Sequence, residues 1–134
     1  MVSTLEALLR PRRLVHAHCD LPCGVYDPAQ ARIEADSVMH IQKAYQENKD
    51  PVFRERAIAI KEQRATLVKE HLWVLWTDYF KPEHLEKHPT LHELFWNATK
   101  EAGAAKKSED PAQGQKLLDL VDEIAKIFWE TKAA

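Results

Sequence analysis

Three Asp-Pro dipeptides constrain the fold of this chain more than any other feature. They occupy positions 27–28, 50–51 and 110–111. Aspartate is a favoured N-cap, and proline suits the first helical position because its missing N–H would have no intrahelical partner there. Long stretches with few helix breakers follow these pairs, and glycine occurs only three times in 134 residues. The dipeptides therefore predict the starts of three long helices.

Apolar residues at helical spacing predict four helices. We expect them over residues 28–47, 51–79, 90–106 and 111–130, with a short helical turn over 83–88. The residues expected to face the core are Val38, Ile41 and Tyr45, then Phe53, Ala57, Ile60 and Leu67, then Leu91, Phe95, Ala98 and Ala102, and finally Leu117, Val121, Ile124 and Phe128. No segment alternates apolar and polar residues as a strand would. The sequence therefore predicts an all-α protein, an antiparallel four-helix bundle.

Two charged residues interrupt the apolar stripes. Glu34 lies in line with Val38 on the first helix, and Arg64 lies between Ile60 and Leu67 on the second. A charge that faces a core needs a partner, because an unpaired buried ion costs several kcal/mol. These residues could form a structural ion pair, or Arg64 could extend to the surface. Alternatively, they could support a site built from the segment just before the first helix.

That segment, AHCDLPCGVYD at residues 17–27, contains the only two cysteines, four positions apart, and a histidine before the first. Such a pair could close a small disulfide, although redox enzymes more often use C-x-x-C at a helix start. A zinc knuckle would need a second pair of ligands, and no other cysteine exists. His84, His88 and His92 repeat at four-residue intervals, but Pro89 interrupts a helix through them, which favours solvated surface over a metal site.

Residues 1–17 are typical of a pro-segment rather than an export signal. Their apolar residues precede the arginines and are too few for a secretory core, and the segment ends in small residues. Cleavage between Ala17 and His18 would give one short peptide an amine, an imidazole, a backbone amide and two thiolates. A nitrogen and sulfur set of this kind suits tetragonal or square-planar coordination, which selects nickel or copper over zinc.

The spacing of the cysteines allows both thiolates to reach one ion. Pro22 and Gly24 permit the tight reversal that would return Cys23 to a metal held at His18 and Cys19. The uncut chain cannot form this site, because the nitrogen of His18 is then part of a peptide bond.

The stretch HCDLPCGVY at residues 18–26 resembles the nickel hook of the nickel superoxide dismutase family. Further similar blocks are DPAQARIEA at 27–35, IKEQRA at 60–65, LW-x-DYFKP at 75–82, DPA-x-GQK at 110–116 and KIFWETK at 126–132. The resemblance implies a pro-segment over 1–17, a hook over 18–28 and a four-helix bundle over 29–134, assembling as a homohexamer. It also implies conversion of superoxide to oxygen and hydrogen peroxide by one nickel ion per subunit, which cycles between Ni(II) and Ni(III).

The resemblance assigns ligands within the hook. The nickel would be held by the amine and imidazole of His18, the amide nitrogen and thiolate of Cys19, and the thiolate of Cys23. Asp20 would support these ligands from inside the hook. The bond before Pro22 would be cis, as it is in the family.

The resemblance also assigns roles beyond the hook. Glu34 and Arg64 would orient the imidazole of the hook histidine, which would explain why they interrupt the apolar stripes. Tyr26 and Tyr79 would flank the open face of the metal and position the small anion and ordered water. Lys81, close to Tyr79 in sequence, is a candidate for attracting the anion.

Charge and hydropathy narrow the classes of partner. The formal net charge of the chain is −2, so no global field attracts nucleic acid or an anionic membrane, and no apolar run approaches the roughly 20 residues that span a bilayer. Together with these exclusions, the resemblance implies a cytoplasmic enzyme whose partners are superoxide, copies of itself and a maturation protease. Two alternatives remain: a non-catalytic metal-binding bundle carrying zinc or copper, and a helical interaction module with a Cys19–Cys23 disulfide.

Overall fold

The computed structural model describes residues 24–134, which form helices joined by short connections. The helices are α1 (Ala29–Glu47), α2 (Pro51–Val74), α3 (Pro82–Lys87), α4 (Leu91–Lys106) and α5 (Pro111–Ala133), and α2 continues into a π-helical turn over Leu75–Tyr79. No strand occurs in this part of the chain. The predicted all-α fold is confirmed, while the predicted pro-segment and most of the hook lie outside the described residues.

All three Asp-Pro dipeptides begin a helix, as predicted. Each aspartate accepts a hydrogen bond from a backbone N–H in the first turn, at 2.8 Å for Asp27, 2.9 Å for Asp50 and 2.9 Å for Asp110. Capping of this kind is worth about 1 kcal/mol per helix. The chain therefore sets the starts of its three longest helices by local hydrogen bonds, before any long-range contact is made.

The four long helices form a closed bundle. α1 packs against α2 and α5, and α4 completes the ring by packing against the same two helices. Short connections join α1 to α2 and α4 to α5, so these neighbours run antiparallel. No helix within residues 24–134 is both long enough and apolar enough to cross a membrane.

The predicted core is correct for α4 and α5 and wrong in detail for α1 and α2. Every predicted core residue of α4 and α5 is buried. On the other two helices the buried face is rotated by about one residue, and its members are Ala31, Ala35, Val38, Met39 and Gln42 on α1 and Ala57, Lys61, Ala65, Val68 and Leu72 on α2. Four of these ten residues are alanines, whose small side chains allow close approach of the helices. The bulkier Ile41, Ile60 and Leu67 flank the contact, half-buried.

The end of α2 departs from a regular helix. Its last turn is π-helical, and the backbone N–H of Phe80 closes it by donating to the carbonyl of Leu75 at 3.0 Å. A π turn accommodates one more residue per turn than an α-helix, which rotates the side chains at its end, and such turns are frequent at functional sites. Tyr79 is the final residue of this turn.

A lysine is buried where α4 connects to α5. Lys61 is only 1% exposed, and its ammonium donates to the carbonyl of Ser108 at 2.7 Å and to a carboxylate oxygen of Glu109 at 2.9 Å. The amide nitrogen of Gln42 donates to the same Ser108 carbonyl at 2.9 Å. α1 and α2 thus hold the α4–α5 connection through polar contacts that the apolar pattern did not predict.

Candidate functional site

Two tyrosines predicted for the site contact each other. The rings of Tyr26 and Tyr79 have centroids 5.6 Å apart and are tilted by 55°. Tyr26 lies in the segment that leads into α1, and Tyr79 ends the π turn of α2. Both are half-buried and pack against the edge of the core. The structure therefore brings together two residues that are 53 positions apart in the sequence.

The two tyrosines line an open pocket of about 390 Å³. Its other lining residues are Gly24, Asp78, Lys81, His84 and Lys132. Two lysines face one aspartate, so the fixed charges of the lining favour an anion. Sequence reasoning proposed Lys81 for this purpose but gave no role to Lys132, because the predicted fourth helix ended at residue 130. The observed α5 extends to Ala133 and places Lys132 on a helical turn.

Contacts on several sides hold the ring of Tyr79. Its centroid lies 4.3 Å from that of Phe128 and 5.7 Å from that of His84, and the planes of Tyr79 and His84 are within 17° of parallel. The Tyr79 hydroxyl is 2.7 Å from the hydroxyl of Thr131. The ammonium of Lys132 lies 5.3 Å from the ring centroid, a cation–π distance. The last turn of α5 therefore supplies three of these four contacts.

Lys132 also reaches the segment that follows the predicted hook. Its ammonium lies 3.5 Å from the carbonyl oxygen of Gly24, as a long hydrogen bond. Gly24 has a φ of 70°, a left-handed conformation that glycine adopts at little cost. A Cβ at this position would meet no atom within 4 Å, so backbone strain rather than crowding would restrict other residues here. The conformation of Gly24 is compatible with the predicted reversal, whose other residues lie outside the described part of the chain.

His84 has a defined tautomer when neutral. The backbone N–H of Lys81 donates to Nδ1 of His84 at 3.1 Å. Nδ1 must therefore accept, which leaves the ring proton on Nε2. His84 was expected to be solvated surface, but it stacks on Tyr79 and lines the pocket. This expectation was wrong, because the short helix α3 folds back over the end of α2.

The other two histidines of the repeat are not aligned with His84 on one helix. α3 ends at Lys87 and α4 begins at Leu91. His88 lies 3.8 Å from a carboxylate oxygen of Glu130, and Nδ1 of His92 accepts a hydrogen bond from the indole N–H of Trp76 at 2.6 Å. Within residues 24–134, no three His, Cys, Asp or Glu residues are grouped to hold a metal ion.

The charges that interrupted the apolar stripes pair with each other. Nη1 of Arg64 donates to both carboxylate oxygens of Glu34, each at 3.2 Å. The Glu34 side chain is 15% exposed and that of Arg64 is 38% exposed, so the carboxylate is the more buried partner. Because a carboxylate has about four acceptor positions, this contact leaves Glu34 able to accept another hydrogen bond.

Five further site predictions lie outside the described residues. They concern the ligands His18, Cys19 and Cys23 and the neighbouring Asp20 and Pro22. The predicted cleavage site between Ala17 and His18 and the predicted cis bond before Pro22 also lie there. These assignments stay predictions.

Comparison with known proteins identifies the family. The family model described as nickel-containing superoxide dismutase matches residues 13–132. The chain belongs to the nickel-containing superoxide dismutase family. Among curated relatives, the nickel superoxide dismutase of Streptomyces coelicolor is 60% identical over 130 residues, which is 97% of this chain and 99% of the relative. That of Streptomyces seoulensis is 61% identical with the same coverage.

Solved structures of nickel superoxide dismutase share this fold. A native structure has a TM-score of 0.85 and 62% sequence identity, and it covers 87% of this chain and 100% of its own. An apo structure has a TM-score of 0.81 and 60% identity, covering 83% of this chain and 100% of its own. The predicted bundle and the predicted family are therefore both confirmed.

The residues next to the predicted hook fit the nickel ion of this family. Gly24 has a left-handed φ of 70°, a conformation that a tight turn at the end of a ligand segment can use. Glu34 presents a carboxylate that Arg64 holds in place and that can still accept from an imidazole N–H. The donors present in the 18–23 sequence are nitrogen and sulfur atoms, which suit nickel.

Proposed function

We propose that this chain is a nickel superoxide dismutase, which converts two superoxide ions and two protons to oxygen and hydrogen peroxide. The observation that carries the proposal is identity of 60% across nearly the whole of a curated nickel superoxide dismutase. The pocket supports it independently, because two lysines and two tyrosines converge beside the segment that contains the cysteines.

We infer that His18, Cys19 and Cys23 hold the nickel. The amine and imidazole of His18, the amide nitrogen and thiolate of Cys19 and the thiolate of Cys23 would form a five-donor set. When bound by anionic amide and thiolate donors, nickel supplies one-electron chemistry between Ni(II) and Ni(III). Asp20 and Pro22 would shape the segment between the two thiolates.

We infer that a protease removes residues 1–17, because only this cut creates the amine donor. The extent of the structural match supports the inference. A share of 87% of this 134-residue chain is about 117 residues, the number from His18 to Ala134, and it accounts for all of the solved native chain. The curated relatives, in contrast, match over 130 residues.

The residues of the bundle would act on the histidine and on the substrate. Glu34 would accept from the N–H of the other ring nitrogen of His18 and fix the orientation of the imidazole, while Arg64 holds the carboxylate in place. Tyr26 and Tyr79 would restrict the pocket to a small anion and ordered water.

Local charge must attract the substrate. The chain has a formal charge of −2. Residues 1–17 contribute +2 through three arginines and one glutamate, so the chain without them carries −4. Superoxide is itself an anion, and the global field therefore opposes its approach. Lys81 and Lys132 in the pocket lining supply the compensating positive potential.

Assembly as a homohexamer is the proposed oligomeric state. Several large apolar residues are exposed on the bundle, among them Val25, Ile33, Val52, Trp73, Trp96 and Trp129. Val25, 72% exposed, lies between Gly24 and Tyr26 of the pocket segment. A neighbouring subunit that covers Val25 would therefore also press on the base of the hook. We expect the assembled enzyme in the cytoplasm.

N-terminal sequencing, metal analysis and an activity assay on one preparation test the proposal. We expect an N terminus at His18, one nickel per chain and rapid removal of superoxide. An active protein that retains residues 1–17 would contradict the proposed ligand set. Zinc or copper without activity would instead support a metal-binding bundle, and a persistent Cys19–Cys23 disulfide in the native protein would support an interaction module.

A further inference from the structure

We propose that Thr131 is a positioning residue that fixes the direction of the Tyr79 hydroxyl proton. With Thr131 in place, Tyr79 orders a water molecule and does not donate a hydrogen bond to superoxide. This inference rests on the proposed function for its substrate, but the direction of the proton follows from contacts within α5 and the end of α2.

The hydroxyl of Thr131 lies between two oxygen atoms. Its oxygen is 2.6 Å from the backbone carbonyl oxygen of Phe128, one helical turn earlier on α5, and 2.7 Å from the hydroxyl oxygen of Tyr79. Both distances are normal for O–H···O hydrogen bonds. Thr131 therefore makes two hydrogen bonds with a group that has one proton.

The carbonyl determines which way each proton points. A carbonyl oxygen can only accept, so the proton of Thr131 must be donated to Phe128. The oxygen of Thr131 is then left with lone pairs, and its contact with Tyr79 can form only if the phenol donates. The single proton of the Tyr79 hydroxyl is therefore committed to Thr131.

This arrangement makes Tyr79 an acceptor toward the pocket. Any group that contacts its oxygen from the pocket must bring a proton of its own, as water or an ammonium does. Superoxide carries no proton and would face a lone pair, which is unfavourable for an anion. Among the described lining residues, the ammonium groups of Lys81 and Lys132 and the Nε2–H of His84 in its neutral tautomer remain as donors to the anion, beside the hydroxyl of Tyr26.

Thr131 and Lys132 act on Tyr79 as neighbours in one helical turn. Phe128, Thr131 and Lys132 are spaced at i, i+3 and i+4, so they share a face of α5. Phe128 packs on the phenol ring, Thr131 accepts its proton, and Lys132 places a cation over the ring. The C-terminal turn of α5 is thereby part of the site, although it is more than 100 residues from the hook in sequence.

The solution test measures how tightly a small stable anion binds. Azide is titrated into the processed, nickel-loaded protein, and its dissociation constant is read from the change in the optical spectrum. Thr131→Val keeps the shape of the side chain but removes the acceptor, so the phenol proton becomes available to the pocket. We expect azide to bind about tenfold more tightly, as for one added hydrogen bond to a charged group.

Two companion variants separate positioning from a structural effect. Thr131→Ser retains the hydroxyl and should restore the wild-type azide constant. Combining Thr131→Val with Tyr79→Phe should abolish the gain in affinity, because the phenol proton is then absent. An unchanged azide constant in Thr131→Val, or a gain that persists in the double variant, would overturn the inference. Circular dichroism and thermal unfolding verify that each variant is folded.

Neutron diffraction gives a test that needs no metal. In deuterated wild-type crystals, the phenolic deuteron of Tyr79 should lie on the line to the Thr131 oxygen. A deuteron pointing into the pocket would refute the inference, whatever dismutase activity is measured. Dismutase activity of the same wild-type preparation is measured separately. A failure of the proposed function is thereby distinguished from a failure of the role proposed for Thr131.

Discussion

The substitution Gly114→Ala in α5 should change the stability of the protein in the direction opposite to the usual effect of alanine in a helix. Replacing a helical glycine by alanine normally stabilises a helix by about 1 kcal/mol. At Gly114, however, an added Cβ would lie 2.7 Å from the Cα of Met39 and also collide with the side-chain oxygen of Gln42 on α1. Both residues are buried where α1 packs against α5. We therefore expect Gly114→Ala to destabilise the protein.

The size of this destabilisation depends on whether the atoms that the added Cβ would meet can move away. Carbon atoms pack best at about 3.5–4.0 Å, so a contact at 2.7 Å requires a shift of close to 1 Å. The obstacle is backbone, and Gln42 cannot turn aside without losing its hydrogen bond to Ser108. Overpacking of this kind costs about 1–3 kcal/mol, and we place this case at the upper end. After subtraction of the helical gain, the expected loss is about 2 kcal/mol, or roughly 8 °C in Tm for a chain of this size.

Gly103→Ala is the matched control. Gly103 is also helical, but its added Cβ would meet only the terminal ammonium of Lys69, at 3.3 Å, and the adjoining carbon at 3.7 Å. This flexible end can move, so the substitution should raise the free energy of unfolding by up to about 1 kcal/mol. The assay is urea and thermal unfolding of the three proteins at one concentration. Equal or greater stability of Gly114→Ala than wild type would refute the packing argument.

Three further predictions concern activity. Cys19→Ser should abolish dismutase activity and nickel retention while leaving the helical circular dichroism spectrum intact, and an active variant would remove Cys19 from the ligand set. Arg64→Ala should lower activity about tenfold or more by releasing Glu34, yet leave the bundle folded because the arginine itself is partly exposed; unchanged kcat would contradict the orienting role. Lys132→Met should lower kcat/KM several-fold and flatten its dependence on ionic strength, whereas Lys126→Met, which removes an exposed charge outside the pocket lining, should match wild type within about twofold.

Helix positions and caps were predictable because their causes are local. Asp50 and Asp110 satisfy first-turn N–H groups within their own segments, so the sequence alone reveals them. The core faces of α4 and α5 were also predictable, because bulky apolar residues occupy their buried positions. On α1 and α2 four of the ten buried positions are alanines and two more are Gln42 and Lys61, and these residues carry little hydrophobic signal. A search for large apolar residues therefore selected the flank of the contact.

The sequence allowed several residues of the candidate site to be predicted, but not how their side chains contact one another. Resemblance to the family identified Tyr26 and Tyr79, but no local pattern shows that their rings meet or that a π turn ends at Tyr79. The contact of Thr131 with Tyr79 joins residues 52 positions apart, and it depends on α5 continuing beyond residue 130. That extension depends on tertiary packing, so the periodicity of a single helix does not predict it.

The chain whose contacts are described still carries residues 1–17, and this bears on how an active enzyme is made. The Glu34–Arg64 pair, the Tyr79–Thr131 hydrogen bond and the contact of Lys132 with Gly24 all form within the bundle of this full-length chain. The described residues of the lining already contact one another in the uncut chain, so the proposed cut would supply a primary amine without having to bring these residues together. Under the proposed function, activation would then be a chemical event at the nitrogen of His18 and would be separate from the folding of the bundle.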